Sequence, residues 1–188
     1  MKELNLVGLC GSLRTKSFNR KLLNEAVRVF GPSAYSEGNL RLPLYDGDLE
    51  DRDGIPGDVQ TLANQIAAAD AVIIAAPEYN KSITGVLKNA LDWISRTDGN
   101  PWHGKPVALI SAAGGREGGA RSQFAVRLCL APFRLNLIPG PEVLVAGPTK
   151  EFDADGHLNN DRYLKALEEQ MRLLRDASSI GKGSDRAA

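Results

Sequence analysis

The ten residues Gly11-Ser12-Leu13-Arg14-Thr15-Lys16-Ser17-Phe18-Asn19-Arg20 crowd hydroxyls, cations and an amide into one short stretch. They follow an apolar run and precede a helical stripe. A helix start offers unpaired N–H groups and a positive partial charge, which suits a phosphate. Ser12, Thr15 and Ser17 add hydroxyl donors, Arg14 adds a planar fork of donors, and Asn19 adds an amide N–H in the first turn. The stretch is not a Walker A loop, because Thr15 stands where glycine must precede the Lys-Ser pair. No G-x-G-x-x-G fingerprint is present. The plain alternative is an N-cap at Ser17 on a solvated basic turn.

A second stretch, Pro77-Glu78-Tyr79-Asn80-Lys81-Ser82, turns suddenly polar after an apolar run. Pro77 fixes its own backbone and biases Ala76 to an extended form. Tyr79 offers a flat amphipathic face, and Asn80 carries both donor and acceptor for the edge of a heterocycle. Glu78 is a costly carboxylate if buried without a partner. A turn followed by a helix capped at Ser82 accounts for Ser82 and Gly85 but gives the Glu-Tyr-Asn run no purpose. A third stretch, Ser111 to Gly119, is rich in glycine, so Ser111, Ala113 and Gly114 can bring backbone close to a ligand. A flexible connector or lid is the competing reading. Arg116 and Arg121 flank it, available to a pyridine-nucleotide phosphate or to solvent. Trp93 and Trp102 are expected in core or subunit-interface packing.

These stretches need elements to position them. Leu4 to Cys10 reads as a strand, and Leu22, Leu23, Ala26, Val27 and Phe30 form a helical stripe. A strand is expected at about Ser33 to Leu40, then an acidic loop from Leu42 to Pro56. Val59, Leu62, Ala63 and Ile66 predict a second helix. Ala71 to Ala76 is a continuous apolar run suited to a central strand covered on both faces. Val86 to Ile94 predicts a third helix, Val107 to Ala113 a fourth strand, and Gly118 to Ala131 a fourth helix. Val143 to Ala146 is the expected fifth strand, and Tyr163, Leu164, Leu167, Met171 and Leu174 mark the last helix. Alternation of this kind implies an α/β domain with a parallel sheet, and five strands fit the doubly wound order 2-1-3-4-5. Ligands of such sheets lie beyond the carboxyl ends of the strands, where all three polar stretches fall. The domain is expected to span residues 1–175, with 176–188 a disordered tail.

Lysine plus arginine equals aspartate plus glutamate at 23 each, which argues against nucleic acid or an anionic membrane as partner. Cys10 and Cys129 form no framework and are expected as buried, reduced thiols. His103 and His157 lack metal-ligand spacing, so no metal site is expected. No signal segment or membrane-length apolar run is seen, and a cytoplasmic location follows as the expectation.

Gly11-Ser12-Leu13-Arg14 with Ser17 and Asn19 resembles the phosphate loop of the NAD(P)H-dependent FMN reductase family. Pro77-Glu78-Tyr79-Asn80, followed by Gly85 to Trp93, is similar to that family's second signature. The resemblance runs from Leu4 to about Leu174. It implies a flavodoxin-like doubly wound five-stranded sheet and FMN as cofactor, with NADPH or NADH as co-substrate. It places the FMN phosphate on Ser12, Leu13, Arg14, Ser17, Phe18 and Asn19. The isoalloxazine would lie against Pro77, Glu78, Tyr79 and Asn80, with Ser111, Ala113 and Gly114 on its other side. No catalytic side chain is implied, since the flavin carries the chemistry. Quinones, azo compounds, chromate or free flavin are the implied acceptors in a ping-pong cycle, and the implied assembly is a homodimer or homotetramer. Thr84 departs from a frequent proline, Lys81 puts a cation where neutral or aromatic residues are common, and Ala112 and Ala113 replace a frequent hydroxyl. A flavodoxin-type electron carrier, a redox sensor, or a flavin-free enzyme binding another phosphorylated ligand are the rival readings.

Overall fold

The computed structural model describes residues 3–180 of the chain. Strand β1 (Asn5–Cys10) leads into helix α1 (Phe18–Phe30), then strand β2 (Ala34–Glu37). Helices α2 (Gly47–Asp53) and α3 (Gly57–Ala68) precede strand β3 (Ala71–Ala75) and helix α4 (Gly85–Ile94). Strand β4 (Pro106–Ala113), helix α5 (Ala120–Leu130), strands β5 (Asn136–Leu137) and β6 (Val143–Ala146), and helix α6 (Asp161–Ile180) complete the order. All pairings are parallel, in the order β2-β1-β3-β4-β5, with β6 also on β4. This is the expected flavodoxin-like doubly wound sheet.

Strand periodicity sorts the core into two layers. Leu4, Leu6 and Cys10 point to one side with Ala71, Ile73, Ala75, Ala108, Ile110 and Ala112, where α1 and α6 cover them. Val7, Leu9, Val72, Ile74, Ala76, Val107 and Leu109 point to the other side, under α3, α4 and α5. Both faces of β3 are buried, which is why its sequence is apolar without alternation. The stripe of α1 places Leu22, Leu23, Ala26 and Phe30 inward, and Gly31 ends the helix in the left-handed conformation at φ 61°.

Four expectations and one alternative reading are corrected. The fifth position of the sheet is shared: β5 pairs with the start of β4 and β6 with its end, and Pro141 lies between them, where a residue without an N–H cannot extend a ladder. The acidic loop contains α2, capped by Asp46 accepting from the Asp48 N–H. That helix buries no residue, so it leaves no apolar stripe in the sequence. Helix α4 is preceded by Thr84 rather than capped at Ser82. Helix α6 continues through Asp176 to Ile180 where a disordered tail was expected, and the rest of that expected tail, residues 181–188, lies outside the described residues. Cys10 is buried, and burial pushes its thiol up, whereas Cys129 is only half-buried. Trp93 and Trp102 are core residues, with Trp93 Nε1 donating to Pro43 O at 2.8 Å.

Candidate functional site

The loops after β1, β3 and β4 are stapled to one another at the carboxyl edge of the sheet. Gly11 N donates to Ala75 O at 2.9 Å, and the Thr84 hydroxyl donates back to Gly11 O at 2.8 Å. A Cβ on Gly11 would stand 2.9 Å from Pro77 Cδ, so only glycine lets the first two loops approach this closely. Thr84 is therefore the fastener between those loops. Asn19 reaches from α1 to the end of β4: its Nδ2 donates to Ala112 O at 2.7 Å and its Oδ1 accepts from Ala112 N at 3.0 Å. Ser122 of α5 donates to Pro77 O at 2.8 Å. Three turns separated by long stretches of sequence thus hold a common wall.

The first turn presents a helix end. Ser17 Oγ caps α1 by accepting from Asn19 N at 3.2 Å, and Ser12 Oγ accepts from Arg14 N at 3.3 Å. Arg14 and Lys16 are exposed, and neither forms an ion pair with a described carboxylate. The second turn is tight and strained. Asn80 and Lys81 have φ of 50° and 66°, and Tyr79 and Ser82 exchange backbone hydrogen bonds of 3.2 and 3.1 Å across it. Left-handed backbone costs about 1–2 kcal/mol at a residue with a Cβ, and such strain gathers at functional turns. The turn leaves Tyr79 half exposed.

The third turn is fixed by shape. Ser111 Oγ donates to Gly118 O at 2.7 Å and accepts from Gln123 Nε2 at 3.1 Å. Gly118 and Gly119 adopt φ of 58° and 97°. A Cβ on Gly118 would lie 2.5 Å from the Leu144 backbone. Arg121 is committed to carboxylates, with Nη1 at 3.0 Å from Glu117 and 3.7 Å from Glu78.

A cleft of about 170 Å3 lies between these turns. Ser12, Arg14, Ser17, Phe18, Asn19, Pro77, Glu78, Tyr79, Ala113 and Gly114, each singled out from the sequence, line it. Through Glu78, Ala113 and Gly114 it continues into a neighbouring cleft of about 280 Å3 flanked by Arg116, Gly119 and Arg121. Three expected site residues do not line it. Leu13 packs against the second core layer. Asn80 is exposed, on a turn where its backbone is left-handed. Ser111 is fully buried, and its hydroxyl is spent on Gly118 and Gln123. The cleft also takes in Lys16, Ala112 and Pro148. Lys16 could have been read from its place in the first stretch. Pro148 could not, because nothing local marks the end of β6 as part of the wall.

Two electrostatic features stand out. The first turn concentrates positive charge with no carboxylate against it. Glu78, at the junction of the two clefts, has a buried Oε2 with no hydrogen-bond partner. An orphan acceptor of this kind is costly unless a donor arrives. Ser12, Ser17, Ser111 and Ser122 are all engaged in holding backbone, so none is presented as a nucleophile.

Fold and cleft together define a flavodoxin-like α/β protein with a capped helix start beside a partly polar cleft. The chain belongs to the NADPH-dependent FMN reductase family, whose model matches residues 4–150. It is 38% identical over 174 residues to an NAD(P)H-dependent FMN reductase of Pseudomonas aeruginosa, covering 92% of this chain and 94% of that one. It is 39% identical over 147 residues to a quinone reductase of Escherichia coli, covering 76% and 78%. Its structure is similar to that of FerB, a flavoenzyme NAD(P)H:(acceptor) oxidoreductase from Paracoccus denitrificans. The TM-score is 0.84 at 30% identity over 94% of this chain and 97% of that one.

Proposed function

We propose that the chain binds FMN in this cleft and passes electrons from NADPH or NADH to small acceptors. Quinones are the first choice, with azo compounds, chromate and free flavin as further candidates. The observation that carries the reading is the continuous cleft from the Ser17-capped helix end to the orphan Glu78 oxygen. A phosphate fits the first end, where N–H groups, Arg14 and Lys16 converge. A planar ring with N–H groups fits the second, where Pro77, Glu78 and Tyr79 face Ala112, Ala113 and Gly114.

When bound, FMN supplies hydride acceptance and onward electron delivery. The chain's own residues do the rest. The stapled turns hold the slot in one shape, and the glycine backbone after β4 leaves room for close approach. The open neighbouring cleft admits nicotinamide and acceptor in turn, which is the basis of a ping-pong cycle. Phe124 and Leu128 are 63% and 78% exposed on α5, one helical turn apart, and support a homodimer or homotetramer. Among the described residues no helix is long and apolar enough to cross a membrane, and the proposed location is the cytoplasm.

The test is rapid anaerobic mixing of FMN-loaded protein with NADPH, then with NADH, following the visible absorbance. Fast bleaching supports the reductase. Persistent colour with both nucleotides would sink it and leave an electron carrier or sensor. Parallel double-reciprocal lines in steady state are expected, and intersecting lines would overturn the ping-pong scheme.

A further inference from the structure

A second cavity, of about 260 Å3, lies behind the first turn, between it and the carboxyl end of β2. The turn is a partition with two faces. Ser12, Arg14 and Lys16 line the cleft described above, while Leu13, Thr15, Arg20 and Arg41 line the cavity. Neither arginine of the cavity lines the cleft.

Both arginines reach back to the main chain of the turn. Arg41 Nη2 donates to Leu13 O at 3.2 Å. Arg20 Nη1 donates to Arg14 O at 3.3 Å, and Ser17 N donates to the same oxygen at 3.2 Å. Each arginine is itself held. Glu37, beside Gly8 on the paired strands β2 and β1, accepts from Arg20 Nε and Nη2 at 3.0 and 2.8 Å. Arg41 follows the buried Leu40, and its backbone N–H donates to Asn39 Oδ1 at 2.9 Å. Leu13 packs in the same core layer as Leu40 and Leu42, so its side chain and its carbonyl are both anchored.

Two consecutive carbonyls are thus turned toward the cavity. Across a trans peptide the C=O and the following N–H point in opposite directions. The N–H groups of Arg14 and Thr15 therefore point away from the cavity, toward the cleft. The Arg14 N–H donates there to Ser12 Oγ at 3.3 Å. The Thr15 N–H donates to no described residue, which leaves it open to an anion. A cation at the carbonyl end of a peptide also polarises its N–H and strengthens the bond that N–H makes.

We infer that Arg20 and Arg41 are positioning residues for the FMN phosphate. They touch no flavin. They hold the turn from behind so that its N–H groups, that of Thr15 first, meet the phosphate without rearrangement. The inference rests on the FMN reading above and adds the device that presets its phosphate end.

The test uses the full-length chain freed of flavin and titrated with FMN or with riboflavin, which has the ring and lacks the phosphate. Two variants separate placement from charge. Arg41→Met removes a donor and a charge. Arg20→Met combined with Glu37→Gln removes the other donor with no change in net charge. Each should weaken FMN binding about fivefold or more and riboflavin binding less than about twofold. The fold loss in Arg41→Met should persist at high salt, where exposed charges are screened. In wild type the NMR signal of the Thr15 amide should move with FMN and stay in place with riboflavin. Equal losses for both flavins would mean a general loosening and would overturn the inference while leaving the FMN reading standing. So would an unchanged FMN affinity in either variant, a loss in Arg41→Met that salt abolishes, or a Thr15 signal that responds alike to both flavins. A wild-type chain that binds neither flavin would overturn the FMN reading and this inference together.

Discussion

The turn after β1 leaves Arg14 and Lys16 without carboxylates, whereas the turn after β4 ties Arg121 to Glu117 and Glu78. The first is built from side chains and a capped helix end, with charge left over. The second is built from backbone, with left-handed glycines seated against Leu144 and a fully buried serine beneath them. One turn is suited to recognising an anion, the other to making room for a flat group. The difference teaches that an arginine near a cleft counts toward binding only when its charge is not already answered.

The comparison can be broken most sharply at Gly118. Gly118→Ala should cost about 3 kcal/mol or more, because the backbone is left-handed and the new Cβ meets the Leu144 main chain. Urea unfolding measures this, and a loss under about 0.5 kcal/mol would show that the turn is not held by shape. Asn19→Ala should come next, at about 2–3 kcal/mol, since it strands the Ala112 N–H and C=O that the amide satisfies. FMN affinity should fall with it, because α1 and β4 lose their link. Ser17→Ala should cost about 1 kcal/mol through the lost cap, and Ser17→Gly only a few tenths. FMN affinity measured by fluorescence quenching should follow the same rank.

The smallest effect concerns the loop that follows β6 and Pro148. His157 Nδ1 sits 2.9 Å from Glu25 Oε2, and Arg28 pairs with the same carboxylate at 2.8 Å. Glu25 raises the imidazole above its ordinary value, with Asp153 adding to the rise and Arg28 and slight burial opposing it. Arg28, then His157, holds the Glu25 carboxyl below the usual range against its burial. The histidine's contribution is fully present below about pH 6.5, the unfolded value, and is lost as pH rises through the elevated folded value. The glutamate's contribution is present above about pH 4.3 and is lost as pH falls through its depressed folded value. The loop should therefore grip α1 most tightly in the mildly acidic window between them. NMR titration of His157 checks this: Glu25→Gln should lower its midpoint, and an unmoved midpoint would remove the tie.

The two motif turns were legible because their chemistry is local: cap, hydroxyls, proline and glycines sit within a few residues of one another. Element order was legible because each layer's apolar residues recur with the period of its structure. What stayed hidden was long range. Asn19 meets Ala112 across 93 positions, and His157 meets Glu25 across 132, with no local mark on either pair. Ser111 was expected at the ligand because it opens the glycine-rich stretch, but it is fully buried and its hydroxyl is held by Gly118 and Gln123. Helix α2 escaped notice because it buries no residue, and the last turns of α6 because they are made of small and polar residues.

Helix α6 has a consequence for how the chain comes into being. Leu167, Met171 and Leu174 close the layer shared by α1 and one face of the sheet, and Gln170 donates to Leu109 O in the middle of β4 at 3.1 Å. During synthesis every strand emerges before this cover does. A nascent chain ending before residue 161 holds a finished set of strands with one oily face covered by α1 alone, the state most exposed to capture by chaperones or to clumping. Completion of α6 is thus the moment at which the polypeptide becomes safe to release.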